Sequence, residues 1–254
     1  MNSLDAVILG IVEGLTEFLP ISSTGHLILA SDLLGLVEND FLKSFQIVIQ
    51  LGAILAVVLL YWRKLFFDFL LIRKIVLALL PALCIGLAFY TFIRSLLTSE
   101  WTVVVALFIG GVGLILFEWY RKEPEHPTDI ETLSYAQAVK IGCFQALSVI
   151  PGVSRAGGTI VGGLLVGLSR KAAVEFSFLL GVPTMVAATS LDLYKNYQLF
   201  SIGDIQSLSI GFLTSFLVAI IAIKFLLRFV ESHTFIAFGV YRIIAALFFA
   251  LIVL

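Results

Sequence analysis

Apolar residues dominate this chain in long, nearly unbroken runs, and the polar residues fall between those runs or at a few marked interruptions. A helix that crosses a bilayer needs ~20 mainly apolar residues. Six stretches meet that length, at about 41–62, 73–93, 101–119, 173–191, 207–228 and 235–254. Two further apolar segments are broken. Residues 6–35 are interrupted at Pro20 and Gly25, and residues 136–168 at Pro151-Gly152 and again at Gly157-Gly158. Broken helices persist at membrane depth only where protein or a wet cavity satisfies the freed backbone groups. The pattern therefore predicts an all-α integral membrane protein with six transmembrane helices and two re-entrant helical hairpins that enter the bilayer without crossing it.

The broken segments read as copies. Ala6-Val7-Ile8-Leu9-Gly10 matches Ala138-Val139-Lys140-Ile141-Gly142, and Glu13-Gly14-Leu15-Thr16 matches Gln145-Ala146-Leu147-Ser148. After a one-residue slip, Pro20 falls on Pro151, Ser23 on Ser154 and Phe45 on Phe176. Each copy is one hairpin followed by three spans, so the second starts from the opposite face of the membrane. This predicts a single membrane domain over 1–254, with inverted repeats at about 1–119 and 136–254 joined by a polar connector at 120–135. In such repeats the site lies where the broken helices meet near the midplane.

Composition supports this reading. Of 254 residues, 60% are hydrophobic and 13% charged, about half the charged share of a soluble domain (roughly 25%). The net charge of −1 excludes a nucleic-acid partner as an expectation. Cys84 and Cys143 lie in apolar segments and are expected to be buried free thiols. The first residues carry Asp5 and no basic region, so a signal peptide is not expected. Basic residues concentrate around alternate loops: Arg63, Lys64, Arg73 and Lys74, then Arg121 and Lys122, Arg170 and Lys171, and Lys224 and Arg228. The other loops carry only Arg94 and Lys195. The excess of Lys and Arg places the basic loops in the cytoplasm. Both termini then lie outside, and the first hairpin enters from the outer side.

The candidate chemistry is concentrated in the hairpins. Glu13 and Glu17 are one helical turn apart and share a face. Two carboxylates in a low dielectric do not both stay ionised without a proton or a cation between them. Mg²⁺ and Ca²⁺ favour such oxygen ligands, so Glu13 and Glu17 are candidate ligands of a divalent cation. Pro20 ends the first half-helix, and Ser22, Ser23 and Thr24 form the turn, one of them capping the next half-helix. His26 lies in its first turn. Ser23 suits a nucleophile with His26 or Glu17 as its base. Attack by His26 itself, with Ser23 binding, and attack by a water activated by Glu17 are the other arrangements, and Ser22 and Thr24 are candidate phosphate-binding hydroxyls. In the second hairpin, Gly157 and Gly158 allow close approach to the backbone, and a helix start there aims N–H groups at an anion. Ser154 and Thr159 add donors, and Arg155 adds a charged fork matched to phosphate oxygens. Together these are the parts of a phosphoryl-transfer site, and lipid-facing surroundings point to a lipid phosphate as substrate. Gln46 and Gln50 are expected to line the cavity, Glu175 and Arg242 to pair or face it, and Glu118 to snorkel at a helix end. The rival class is a transporter, which also uses inverted repeats and broken helices but needs no nucleophile.

Over essentially its whole length the chain resembles the bacterial undecaprenyl-diphosphate phosphatase family, whose members confer bacitracin resistance. The resemblance is anchored by E-G-L-T-E-F-L-P-I-S-S-T-G-H at 13–26 and P-G-V-S-R-A-G-G-T at 151–159. E-F-S-F-L-L-G-V-P-T-M at 175–185 and the Tyr241-Arg242 pair add to it. The resemblance implies hydrolysis of undecaprenyl diphosphate to the monophosphate and phosphate, recycling the carrier lipid of peptidoglycan synthesis in the bacterial inner membrane. It also implies a divalent cation. Its acidic pair falls on Glu13 and Glu17, its serine and histidine on Ser23 and His26, and its phosphate-binding residues on Ser154, Arg155 and Thr159. At Ala156 the chain departs from the family pattern, where a second serine is usual. The nucleophile (Ser23, His26 or water), the choice of Mg²⁺ or Ca²⁺ and a homo-oligomeric state remain open at this level.

Overall fold

A computed structural model of the protein describes residues 1–89, 100–196 and 204–253. Ten α-helices are present among the described residues: α1 (Ser3–Thr16), α2 (Ser23–Leu33), α3 (Asp40–Phe67), α4 (Phe69–Ala88), α5 (Glu100–Tyr120), α6 (Tyr135–Ala146), α7 (Arg155–Leu165), α8 (Arg170–Asn196), α9 (Asp204–Phe229) and α10 (Ile236–Val253). Five of them are long and apolar enough to cross a membrane: α3, α4, α5, α8 over Arg170–Leu191, and α9. The sixth expected span corresponds to α10, an apolar helix shorter than that length. Residues 90–93 of the expected second span, Arg94, the Lys195 side chain and residue 254 lie outside the described residues.

The broken segments fold as two helix–turn–helix units. The first, α1–α2, turns over residues 17–22, at Pro20 as predicted, but Gly25 does not interrupt it. Gly25 lies inside α2, where its missing Cβ lets Val103 and Leu107 of α5 pack on the backbone. The second unit, α6–α7, turns at Pro151-Gly152, with a short 3₁₀ turn at Leu147–Val149. Gly152 has φ +88°, which glycine adopts without strain. Gly157 and Gly158 are helical within α7 and do not break it. Glycine needs local or tertiary reasons to end a helix, and here Ser154 caps α7 by accepting from Gly157 N–H at 3.0 Å.

The first tight loop is shorter than the charge pattern suggests. A single residue, Asp68, separates α3 from α4, and its side chain caps α4 by accepting from Leu71 N–H at 3.0 Å. Arg63, Lys64, Arg73 and Lys74 are therefore helical. Many of the basic residues meet acidic ones across elements. Lys64 pairs with Glu175 (3.1 Å) and Glu131 (3.4 Å), Arg170 with Glu118 and Glu123, and Lys171 with Glu231 (3.0 Å). These pairs gather the α3–α4 junction, the connector, the start of α8 and the α9–α10 loop. Glu118 does not snorkel: it is held by Arg170 and accepts from Phe235 N–H at 2.9 Å.

Helix α1 packs on α9, α6 on α4, α3 on both α8 and α9, and α5 on α10. Association of helices in lipid relies on close packing rather than on hydrophobic burial, and small residues permit it. At Gly10 of α1 an added Cβ would sit 2.7 Å from the Gly211 carbonyl oxygen of α9. At Gly142 of α6 it would overlap the Ala78 carbonyl of α4. Cys84 and Cys143 are free but exposed on α4 and α6, correcting the expectation of burial. In a membrane protein, apolar neighbours in sequence mark lipid-facing surface as readily as interior.

Gly142→Ala should destabilise the protein by about 1–3 kcal/mol, the usual range for overpacking. Gly113→Ala, which meets nothing within 4 Å, should be neutral or stabilising because alanine favours helix. Thermal unfolding of both variants in detergent measures the contrast.

Candidate active site

The turns of the two hairpins meet at a cavity of about 420 Å³. Its polar lining comes from Glu17, Ser22, Ser23 and Thr24 of the first hairpin and Ser154 and Arg155 of the second. Gln50, Gln145, Ser148 and Thr184 add further polar groups. The apolar lining comes from Leu79, Ala82 and Leu83 of α4 and Met185, Ala187, Ala188 and Leu191 of α8. The cavity thus offers both charged groups for a headgroup and apolar surface for a hydrocarbon chain.

Glu17 is the hub. It caps α1, still in helical conformation, and is buried with 6% exposure. Its Oε1 accepts from Arg155 Nη2 at 2.9 Å, and its Oε2 accepts from Ser23 Oγ at 2.5 Å. Arg155 Nη1 donates to the Ser177 carbonyl at 3.0 Å, and its buried Nε has no partner. Gly181 leaves room for this guanidinium, which would collide with a side chain there. Ser154 Oγ reaches the Leu19 carbonyl at 3.4 Å, a second link between the turns. The Ser23–Glu17 contact, a hydroxyl donating to a carboxylate, is a charge-assisted bond, stronger than a neutral one. The arrangement joins a hydroxyl, a carboxylate that accepts its hydrogen bond and a fixed cation.

The other expected residues take different places. Glu13 is fully buried one turn before Glu17 and faces it. Neither of its oxygens has a hydrogen-bond partner, so the carboxyl needs either its own proton or a cation. His26 lies away from the cavity: Nδ1 bonds the Ser22 carbonyl at 2.7 Å and Nε2 the Tyr241 hydroxyl at 2.8 Å. Thr159 lies beneath Arg155, bonding the Arg155 carbonyl (2.9 Å) and Ser177 Oγ (2.5 Å). It supports the arginine's surroundings and does not face the cavity. The Gly157 and Gly158 N–H groups are taken by Ser154 Oγ and the Ser154 carbonyl. Ala156 is fully buried and is not a wall of the cavity, so a serine there would not reach it. Ser22, the N-cap of α2, makes no side-chain cap bond and has φ +70°, a strained conformation for serine.

Gln50 lines the cavity as expected. Gln46 instead donates to Ser31 Oγ at 3.0 Å and lines a separate cavity of about 90 Å³. Glu175 is tied to Lys64 rather than to the site. Sequence reasoning missed Gln145 and Thr184; the alignment of Gln145 with Glu13 between the repeats was the signal that could have found the first.

The chain is similar over nearly its whole length to known proteins. A family model described as bacitracin resistance protein BacA matches residues 6–248. Among similar proteins is an undecaprenyl-diphosphatase of Sulfurihydrogenibium sp. (strain YO3AOP1), 51% identical over 99% of each chain. One of Persephonella marina is 50% identical over 100% of each chain. One of Aquifex aeolicus is 49% identical over 98% of each.

Breaking a buried ion pair from one side costs about 3–5 kcal/mol because the remaining charge is uncompensated. Arg155→Ala should therefore lower thermal stability, and adding Glu17→Gln should recover part of that loss. A double-mutant cycle read by unfolding in detergent checks this.

Proposed function

This chain belongs to the bacitracin resistance protein family, and we propose that it hydrolyses undecaprenyl diphosphate to undecaprenyl phosphate and inorganic phosphate. The observation that carries the reading is the Ser23–Glu17–Arg155 chain of hydrogen bonds on the wall of a cavity that is otherwise largely lined by apolar side chains. Arg155 holds the diphosphate, Glu17 takes the proton of Ser23, and Ser23 Oγ attacks the terminal phosphorus. Undecaprenyl phosphate leaves, and water releases phosphate from Ser23. The geometry favours Glu17 over His26 as the base, because Ser23 donates to Glu17 while both ring nitrogens of His26 are engaged elsewhere.

Among the described residues no group of three or more His, Cys, Asp or Glu side chains is placed to hold a metal ion. Glu13, buried without a hydrogen-bond donor and facing Glu17, still suits one cation completed by substrate oxygens. Mg²⁺ commonly binds through one or two carboxylates plus phosphates. Such an ion, Mg²⁺ or Ca²⁺, supplies neutralisation of charge on the diphosphate.

Membrane placement follows the same reading. The pairing of α1 with α9 and of α6 with α4, with α5 on α10 and α3 on α8, supports an inverted repeat in which equivalent helices take equivalent partners. With α10 as the sixth span and α1–α2 and α6–α7 as re-entrant hairpins, the ion-paired basic face lies in the cytoplasm. The chain is a multi-pass protein of the bacterial inner membrane with its site open to the periplasmic side, recycling carrier lipid for peptidoglycan synthesis. The transporter reading is not favoured, since translocation gives the Ser23–Glu17 pair no task.

Phosphate release from undecaprenyl diphosphate by purified protein in detergent tests the proposal. Wild type should be active, EDTA should abolish release, and Glu17→Gln and Arg155→Ala should each lose about 10²–10³-fold in kcat, the scale of a lost transition-state contact. Well-folded wild type that releases no phosphate with metal supplied would sink it.

A further inference from the structure

Two consecutive residues of α10, Tyr241 and Arg242, contact the hairpins, and neither lines the cavity. Arg242 is 3% exposed and makes no ion pair among the described residues. Its guanidinium donates only to backbone carbonyls: Pro20 (3.2 Å) in the first hairpin turn, Gly152 (3.2 Å) in the second, and Ala106 (3.0 Å) and Leu107 (3.3 Å) of α5. Gly110 of α5 makes the room, since a side chain there would collide with the guanidinium. A buried charge without a counter-ion is costly, and here it joins the two turns that carry the reacting groups.

Tyr241 continues the same contact through His26. The Ser22 carbonyl can only accept, so His26 Nδ1 carries the proton, and the neutral ring accepts at Nε2 from the Tyr241 hydroxyl. The two rings stack, with centroids 5.5 Å apart and planes within 7°. This places a hydrogen bond on the carbonyl of the one non-glycine residue with positive φ among the described residues, Ser22. Strained conformations persist where their surroundings over-determine them, and Ser22 immediately precedes Ser23.

We propose that Tyr241 and Arg242 form a clamp that sets the Ser22–Ser23 turn against the Ser154–Arg155 turn. Tyr241 acts through His26 and the Ser22 carbonyl, and Arg242 through the Pro20 and Gly152 carbonyls. All three side chains are positioning residues. They fix the nucleophile relative to the phosphate-holding arginine and touch no substrate. The inference rests on the phosphatase reading above.

Steady-state phosphate release by the purified full chain tests it. Displacement of a reacting group by about 1 Å can cost 10²-fold, and loss of alignment lowers kcat where loss of substrate contact raises KM. Tyr241→Phe, which removes one hydroxyl, should lower kcat at least about fivefold with KM within about twofold. Arg242→Ala should lower kcat at least about 30-fold, with millimolar guanidinium ion restoring part of it and tetramethylammonium none. His26→Asn keeps a donor near the Nδ1 position but loses the Tyr241 contact, so its kcat should fall about as far as that of Tyr241→Phe and stay above that of His26→Ala, and the acid limb of its kcat/KM–pH profile should stay in place. If Arg242→Ala does not fold, Tyr241→Phe and the two His26 variants carry the test. Wild-type kcat in Tyr241→Phe, a raised KM with unchanged kcat, or loss of the acid limb in His26→Asn overturns the clamp while leaving the phosphatase reading intact. Wild type that releases no phosphate overturns both.

Discussion

The ion pair between Glu17 and Arg155 is the contact on which the rest of the site depends. Each charge comes from a different hairpin, and neither could be buried alone without a large desolvation penalty. The hairpins therefore stabilise one another's least favourable residue. The same pair aims Ser23, because the carboxylate oxygen not used by Arg155 accepts the serine hydroxyl. In the proposed reaction, chemistry and assembly share one set of atoms. The unpartnered Nε of Arg155 and the unpartnered oxygens of Glu13 are the atoms that, in the proposed reaction, a diphosphate and its counter-ion would engage.

The scaffold serves this contact by bringing backbones unusually near. Where α6 crosses α4 at Gly142 and α1 crosses α9 at Gly10, carbonyl oxygens lie in the space a side chain would occupy. Short half-helices cannot bury much apolar surface of their own, so dense packing against long spans holds them. At the basic face, ion pairs tie helix ends to the connector, and a single capping residue, Asp68, reverses the chain between α3 and α4.

Much of this could be read in the sequence because a bilayer imposes strong rules. Long apolar runs mark spans, and polar groups inside them mark a site; Glu17, Ser23 and Arg155 were found in that way. What could not be read is which partner satisfies each polar group. His26 looks like a base by proximity in sequence, yet its ring turns toward Tyr241, 215 residues on. Thr159 and the N–H groups of Gly157 and Gly158 look like anion donors until their local bonds are counted. Gly25 and Gly157-Gly158 were expected to break helices, but glycine inside a helix also signals a close neighbour. The cysteines failed for another reason: hydropathy does not distinguish lipid from protein interior. Arg242 stands out as a charge in an apolar run, but its partners could not be read, since they are four backbone carbonyls from three separate segments.

One consequence follows from the glycines beside Arg242. Both Gly110 and Gly111 of α5 lie against Arg242: a side chain at Gly110 would strike the guanidinium, and one at Gly111 would crowd the arginine's own Cβ and the Gly239 carbonyl. The arginine is thus a key seated in a notch of α5, and the notch fixes the depth at which α10 meets α5 and with it the register of α10 against the hairpin turns.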